Sequence, residues 1–94
     1  MSTQPNLKML FKLSGWVMLD GKLHQAFIFN DFTQAFGFIT QVAIEASKMN
    51  HHPHWSNVYQ TVVIDLITHS EGLVTQLDVE LAGKISDIFN HMSK

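Results

Sequence analysis

The chain has no cysteine among its 94 residues. Disulfides and thiolate metal sites are therefore excluded, and the composition fits a reducing compartment. Charge is sparse as well: Asp, Glu, Lys and Arg make up 15% of the residues, and the net charge is -2. No basic run is present, so neither nucleic acid nor an anionic membrane surface is expected as a partner. No apolar run approaches the roughly 18 residues of a spanning helix. Residues 1–6 are polar and lack the apolar core of a signal peptide, so the expected location is the cytoplasm. What is abundant is apolar side chain, 46% of the total, which is a folding composition and not a disordered one. A single domain spanning 1–94 is expected. A chain this short buries a modest core and often gains stability by oligomerising, and the low charge points the same way.

The order of elements follows from periodicity and punctuation. Leu7, Leu10 and Phe11 have helical spacing over residues 6–13, about two turns, which Ser14-Gly15 ends. Residues 16–19 form a short apolar strand. Asp20-Gly21 is a two-residue hairpin turn, and residues 22–29 alternate with Leu23, Phe27 and Phe29 on one face. Asp31 caps the strongest helix, with Gln34 as its capping-box partner. Phe32, Ala35, Phe36, Ile39, Val42, Ala43, Ala46 and Met49 form its apolar stripe. Gly37 and Ile44 make a second small flank, suited to a helix contact between subunits. Residues 57–69 have period two, as one bent strand or two short ones, with Val58, Val62, Ile64 and Leu66 assigned to the core. Ser70-Glu71-Gly72 is a turn. Thr75 is an N-cap with Asp78 at N3, and Leu81, Ile85, Ile88, Phe89 and Met92 line the last helix. Strands joined by short turns, plus helices, imply an antiparallel sheet with the helices on one face.

The chemistry concentrates in Asn50-His51-His52-Pro53-His54-Trp55, where three of the six histidines fall within four residues. Pro53 stiffens the connection between a helix and a strand, so the imidazoles are presented from an ordered frame. His69 closes the following strand pattern, and the two places are expected to face one pocket. Imidazole exchanges protons near neutral pH, which suits acid–base chemistry. His24, His54 and His91 read as surface or capping residues. A metal site built from His52, His54 and either His51 or His69 is disfavoured, because no carboxylate or thiol adjoins the cluster. There is no phosphate loop, nucleophile elbow or close carboxylate pair.

Three segments carry a specific resemblance: Phe32-x-x-Ala35-Phe36-Gly37-Phe38-Ile39-Thr40-x-Val42-Ala43, then His51-His52-Pro53-x-Trp55-x-Asn57-Val58-Tyr59, then Thr68-His69 with Asp78. Together they resemble the pterin-4a-carbinolamine dehydratase family, over about residues 16–89. The resemblance implies an α+β fold of order α-β-β-α-β-β-α, with a four-stranded antiparallel sheet and three helices packed on one face. Its first helix is longer in the family than here. It implies dehydration of 4a-hydroxytetrahydrobiopterin to quinonoid dihydrobiopterin, in recycling the cofactor of aromatic amino acid hydroxylases, with no metal and no cofactor. The family's active-site histidines fall on His51, His52 and His69. Asn50 belongs to a first pterin-contacting segment, and Ile67, Thr68 and Ser70 to a second, while Trp55 and Asp78 flank the site.

The residues suit that chemistry. Losing water from a carbinolamine needs an acid for the departing hydroxyl and a base for the neighbouring ring N–H, and two imidazoles supply both. Trp55 is suited to wall a flat heteroaromatic ring. The chain departs from the family's pattern at Ser47, Asn50 and His54, where relatives often carry acids, which predicts a slower enzyme. A homodimer or homotetramer is expected. The alternative function is a non-catalytic dimerisation or binding module of the coactivator kind that some family members provide.

Overall fold

A computed structural model describes residues 15–92. Its elements run β1 (Val17–Leu19), β2 (Lys22–Ile28), α1 (Phe32–Met49), β3 (His54–Val58), β4 (Thr61–Leu66) and α2 (Gln76–Met92). The sheet is antiparallel, in the order β1-β2-β4-β3. The α+β class and the four strands stand, but the helix count does not. The described residues contain two helices instead of three, and the helix expected over residues 6–13 lies outside them.

Turn chemistry fixes both hairpins. Asp20 and Gly21 take positive φ of 52° and 76°, which matches the right-handed twist of paired strands. The second hairpin turns at Tyr59-Gln60, with Tyr59 at φ 53°. Asn57 Nδ2 donates to Tyr59 O and Thr61 O at 3.1 and 3.0 Å, holding this turn without a glycine. The period-two run is therefore two strands, and the turn explains one misassigned residue. Val58 lies opposite Thr61, on the face away from Val62, and is 75% exposed instead of buried. Across a two-residue turn, directly opposed residues share a face, so a single even-numbered series cannot run through it.

The core lies between one sheet face and the two helices. Leu23 and Phe27 of β2, and Val62, Ile64 and Leu66 of β4, meet Phe38 and Val42 of α1 and Leu81 and Ile85 of α2. Phe27 and Phe38 rings are tilted with centroids 4.9 Å apart, a favourable aromatic contact. The buried stripe of α1 is Ala35, Phe38, Val42 and Ala46. Phe32 and Phe36, expected in that stripe, are 51% and 56% exposed and touch each other on an outer flank. With Phe32, Ala35, Phe36, Gly37, Phe38 and Ile39 spread around the first turns, sequence spacing alone admits two rotations of the helix, and packing against the sheet selects the one that buries Phe38.

Both ends of the helices matter to the site. Asp31 Oδ1 accepts from Gln34 N at 2.8 Å, as expected of the cap. At the other end Asn50 takes a left-handed conformation, and the backbone N–H groups of Asn50 and His51 donate to Ser47 O and Ala46 O, both at 3.1 Å. This closure satisfies helix carbonyls and sets the direction in which His51 leaves α1.

Candidate active site

His51, His52 and Pro53 connect the C-cap of α1 to β3, with no free run of chain between them. On the facing side, Thr68 pairs with Leu73, and the intervening turn is closed by Glu71 N and Gly72 N, which donate to Thr68 O. Gly72 sits at φ +69°, a conformation that disfavours a side chain, and the tight turn holds His69 and Ser70 outward. The two segments enclose a cleft of about 300 Å³ lined by Asn50, His51, His52, Ile67, Thr68, His69, Ser70 and Leu77. That volume sits at the small end of ligand pockets and suits a compact ring system. The structure thus brings together His51, His52 and His69 with Asn50, Ile67, Thr68 and Ser70. Trp55 and Asp78 are not among the lining residues.

Asp78 lies behind the cleft and is fully buried. Its Oδ1 is 2.6 Å from His51 Nε2. Its Oδ2 accepts from Thr68 Oγ1 at 2.7 Å and from Thr75 N at 2.9 Å. A carboxylate offers only acceptors, so His51 donates through Nε2–H and keeps Nδ1 as its free nitrogen. Because the Thr68 hydroxyl donates to Asp78, the 2.7 Å contact between Thr68 Oγ1 and Thr75 Oγ1 has Thr75 as donor. Thr75 Oγ1 also accepts from Leu77 N at 3.3 Å, completing the cap of α2. The residue read from sequence as a helix-capping acid is therefore also the carboxylate that orients His51. Ser47 is exposed on the last turn of α1, and the acid next to His51 comes from α2 instead of from position 47.

The sequence marks His54 as a surface histidine, and it is exposed, but its Nε2 lies 2.6 Å from His69 Nε2. The rings stand 4.8 Å apart between centroids, inclined at 60°. The alternation His52-x-His54 at the start of β3 was the available signal, since it throws His54 to the side of the strand opposite Trp55. Leu77 was also missed as a lining residue, and nothing in its own neighbourhood of the sequence marks it. Among the described residues, no group of three or more His, Asp or Glu side chains is placed to hold a metal ion.

The fold and the cleft define a small α+β domain with histidines gathered between a helix C-cap and a strand-to-helix turn. The chain belongs to the pterin 4 alpha carbinolamine dehydratase family, whose model matches residues 2–88. It is 48% identical over 95 residues to a protein of Bradyrhizobium sp. (strain BTAi1) named as a candidate pterin-4-alpha-carbinolamine dehydratase, covering 99% of this chain and 96% of that one. A protein of Jannaschia sp. (strain CCS1) with the same designation is 54% identical over 74 residues, covering 77% and 76% of the two chains. A solved structure, the transcriptional coactivator/pterin dehydratase from Brucella melitensis, superposes with a TM-score of 0.86 at 40% identity, covering 93% of this chain and 99% of that one.

Proposed function

We propose that the chain dehydrates 4a-hydroxytetrahydrobiopterin to quinonoid dihydrobiopterin by histidine acid–base catalysis. The observation that carries this reading is the fixed His51–Asp78 pair facing His69 across a cleft sized for a bicyclic ring. His51, with Nε2–H held by Asp78, offers Nδ1 to take the proton from the pterin ring N5. The buried carboxylate offsets the positive charge the imidazole gains. His69 gives a proton to the hydroxyl on C4a, the C4a–O bond breaks, and water leaves as the N5–C4a double bond forms. His52 assists at the cleft wall, Asn50 and Ser70 supply polar contacts to the ring edge, and Thr68, its hydroxyl held by Asp78 and Thr75, lines the floor. Family membership supports the substrate class, and the residues supply both proton transfers without a metal or cofactor.

We further propose that the chain works beside an aromatic amino acid hydroxylase, which generates the 4a-hydroxy compound, and that it does so in the cytoplasm as a homodimer or homotetramer. The test is a coupled assay. With hydroxylase turning over, the 4a-hydroxy intermediate should accumulate in the chain's absence and collapse when it is added. Persistence of the intermediate at stoichiometric protein would overturn the reading.

A second reading rests on the exposed apolar flank of α1, where Phe32, Phe36 and Ile44 are each more than half exposed. Such a flank suits a partner's helix, in keeping with a coactivator-like binding role. It is compatible with the first reading, because the flank and the cleft use different residues.

A further inference from the structure

We infer that His54 is a positioning residue for His69, and that the two imidazoles act as one proton-holding unit; this rests on the dehydratase reading of the cleft. The Nε2 atoms lie 2.6 Å apart, a distance at which one nitrogen must carry the hydrogen and the other must accept it. Two N–H groups cannot face each other there, and two bare nitrogens would not attract. With Nε2 of His69 engaged by His54, Nδ1 is the nitrogen left for a bound ring. His54 itself is steered towards His69. Asp65, opposite His54 across the ladder, is taken by His24, whose Nδ1 is 2.8 Å from Asp65 Oδ1.

The contact holds three proton sites: Nδ1 of His54, the shared position between the Nε2 atoms, and Nδ1 of His69. A pair carrying one positive charge fills all three. When His69 gives its Nδ1 proton to the leaving hydroxyl, the shared proton moves onto His69 Nε2, and His54 is left neutral with its Nδ1–H. Neither ring passes through an imidazolate, and the proton is replaced from water through exposed His54. A lone His69 would donate equally well in principle, but its ring would be free to turn and both tautomers would be populated. The gain from the second imidazole is therefore orientation and tautomer, which acts on the chemical step and not on binding.

The test compares wild type with His54→Ala and His54→Gln, the amide being able to donate or accept at the same place. Steady-state kinetics of 4a-hydroxypterin dehydration are read beside the ¹⁵N signals of the His69 ring. His54→Ala should lower kcat about tenfold with KM within about twofold, and should move the His69 nitrogen signals towards a mixture of tautomers. His54→Gln should restore the wild-type His69 signals and part of kcat. Unchanged kcat and unchanged His69 signals in His54→Ala would overturn the inference. So would a fall in kcat that follows lost thermal stability while the His69 signals stay put. If wild type itself fails to dehydrate the substrate, the dehydratase reading falls, and the nitrogen signals alone then decide whether the two rings share a proton.

Discussion

His51 Nε2 stands 2.6 Å from Oδ1 of Asp78, a fully buried carboxylate 27 residues further along the chain. The pair ties the end of α1 to the first turn of α2. It also makes one acid serve three partners, since Thr68 Oγ1 and Thr75 N share its other oxygen. Burying such a group is tolerable because both carboxylate oxygens have hydrogen-bond partners.

Asp78→Asn keeps the shape but replaces one acceptor by a donor, so an N–H must face either His51 or the Thr68 and Thr75 donors. The expected cost is about 1–3 kcal/mol of stability, read by thermal or denaturant unfolding, with a rate about 10²-fold lower. An Asn variant with wild-type stability and wild-type rate would remove Asp78 from the account.

His51→Ala and His69→Ala should each lower the dehydration rate by about 10²-fold or more, because each removes a proton-transfer group. Among the described residues His91 bonds within its own helix, its Nδ1 contacting Asp87 O at 2.8 Å, so His91→Ala should leave the rate within about twofold. Equal, small losses from all three would mean that the cleft is not where the chemistry happens.

Local signals in the sequence reached most of this arrangement. The Asp31 cap, the Asp20-Gly21 turn, the Ser70-Glu71-Gly72 turn and the alternation of Leu23 and Phe27 depend on neighbours a few residues away, and the fold contains each of them. The rotation of α1 was misjudged at Phe32, Phe36 and Phe38, because only the sheet decides which of several apolar flanks is covered. Val58 was misjudged because a turn without glycine or proline, at Tyr59-Gln60, interrupts the alternation. The histidines are visible as a cluster and the resemblance sets Asp78 beside the site, but which side chain pairs with which is not legible. Asp78 and His54 acquire their roles from contacts 27 and 15 residues distant, and no spacing rule encodes those.

Dialysis against a chelator should change neither activity nor melting temperature, since each proton transfer is assigned to an imidazole. A stoichiometric metal content that rises and falls with activity would favour a metal-assisted reaction instead.

Light scattering at micromolar concentration should give the mass of a dimer or tetramer. Phe36 and Ile44 are 56% and 52% exposed on α1, and water contact there is costly for a small domain. Replacing both by Glu should shift the mass to a smaller species while leaving the monomer fold intact by circular dichroism. A sharp monomer mass for the unaltered chain would defeat this expectation.

The most direct measurement is stopped-flow mixing of the purified chain with freshly generated 4a-hydroxytetrahydrobiopterin, following appearance of the quinonoid product. Wild type should accelerate dehydration well beyond the uncatalysed rate, and the His51→Ala/His69→Ala double variant should return it close to that background. A double variant as fast as wild type, or a wild type no faster than buffer, would contradict the assignment of this cleft as a dehydratase site.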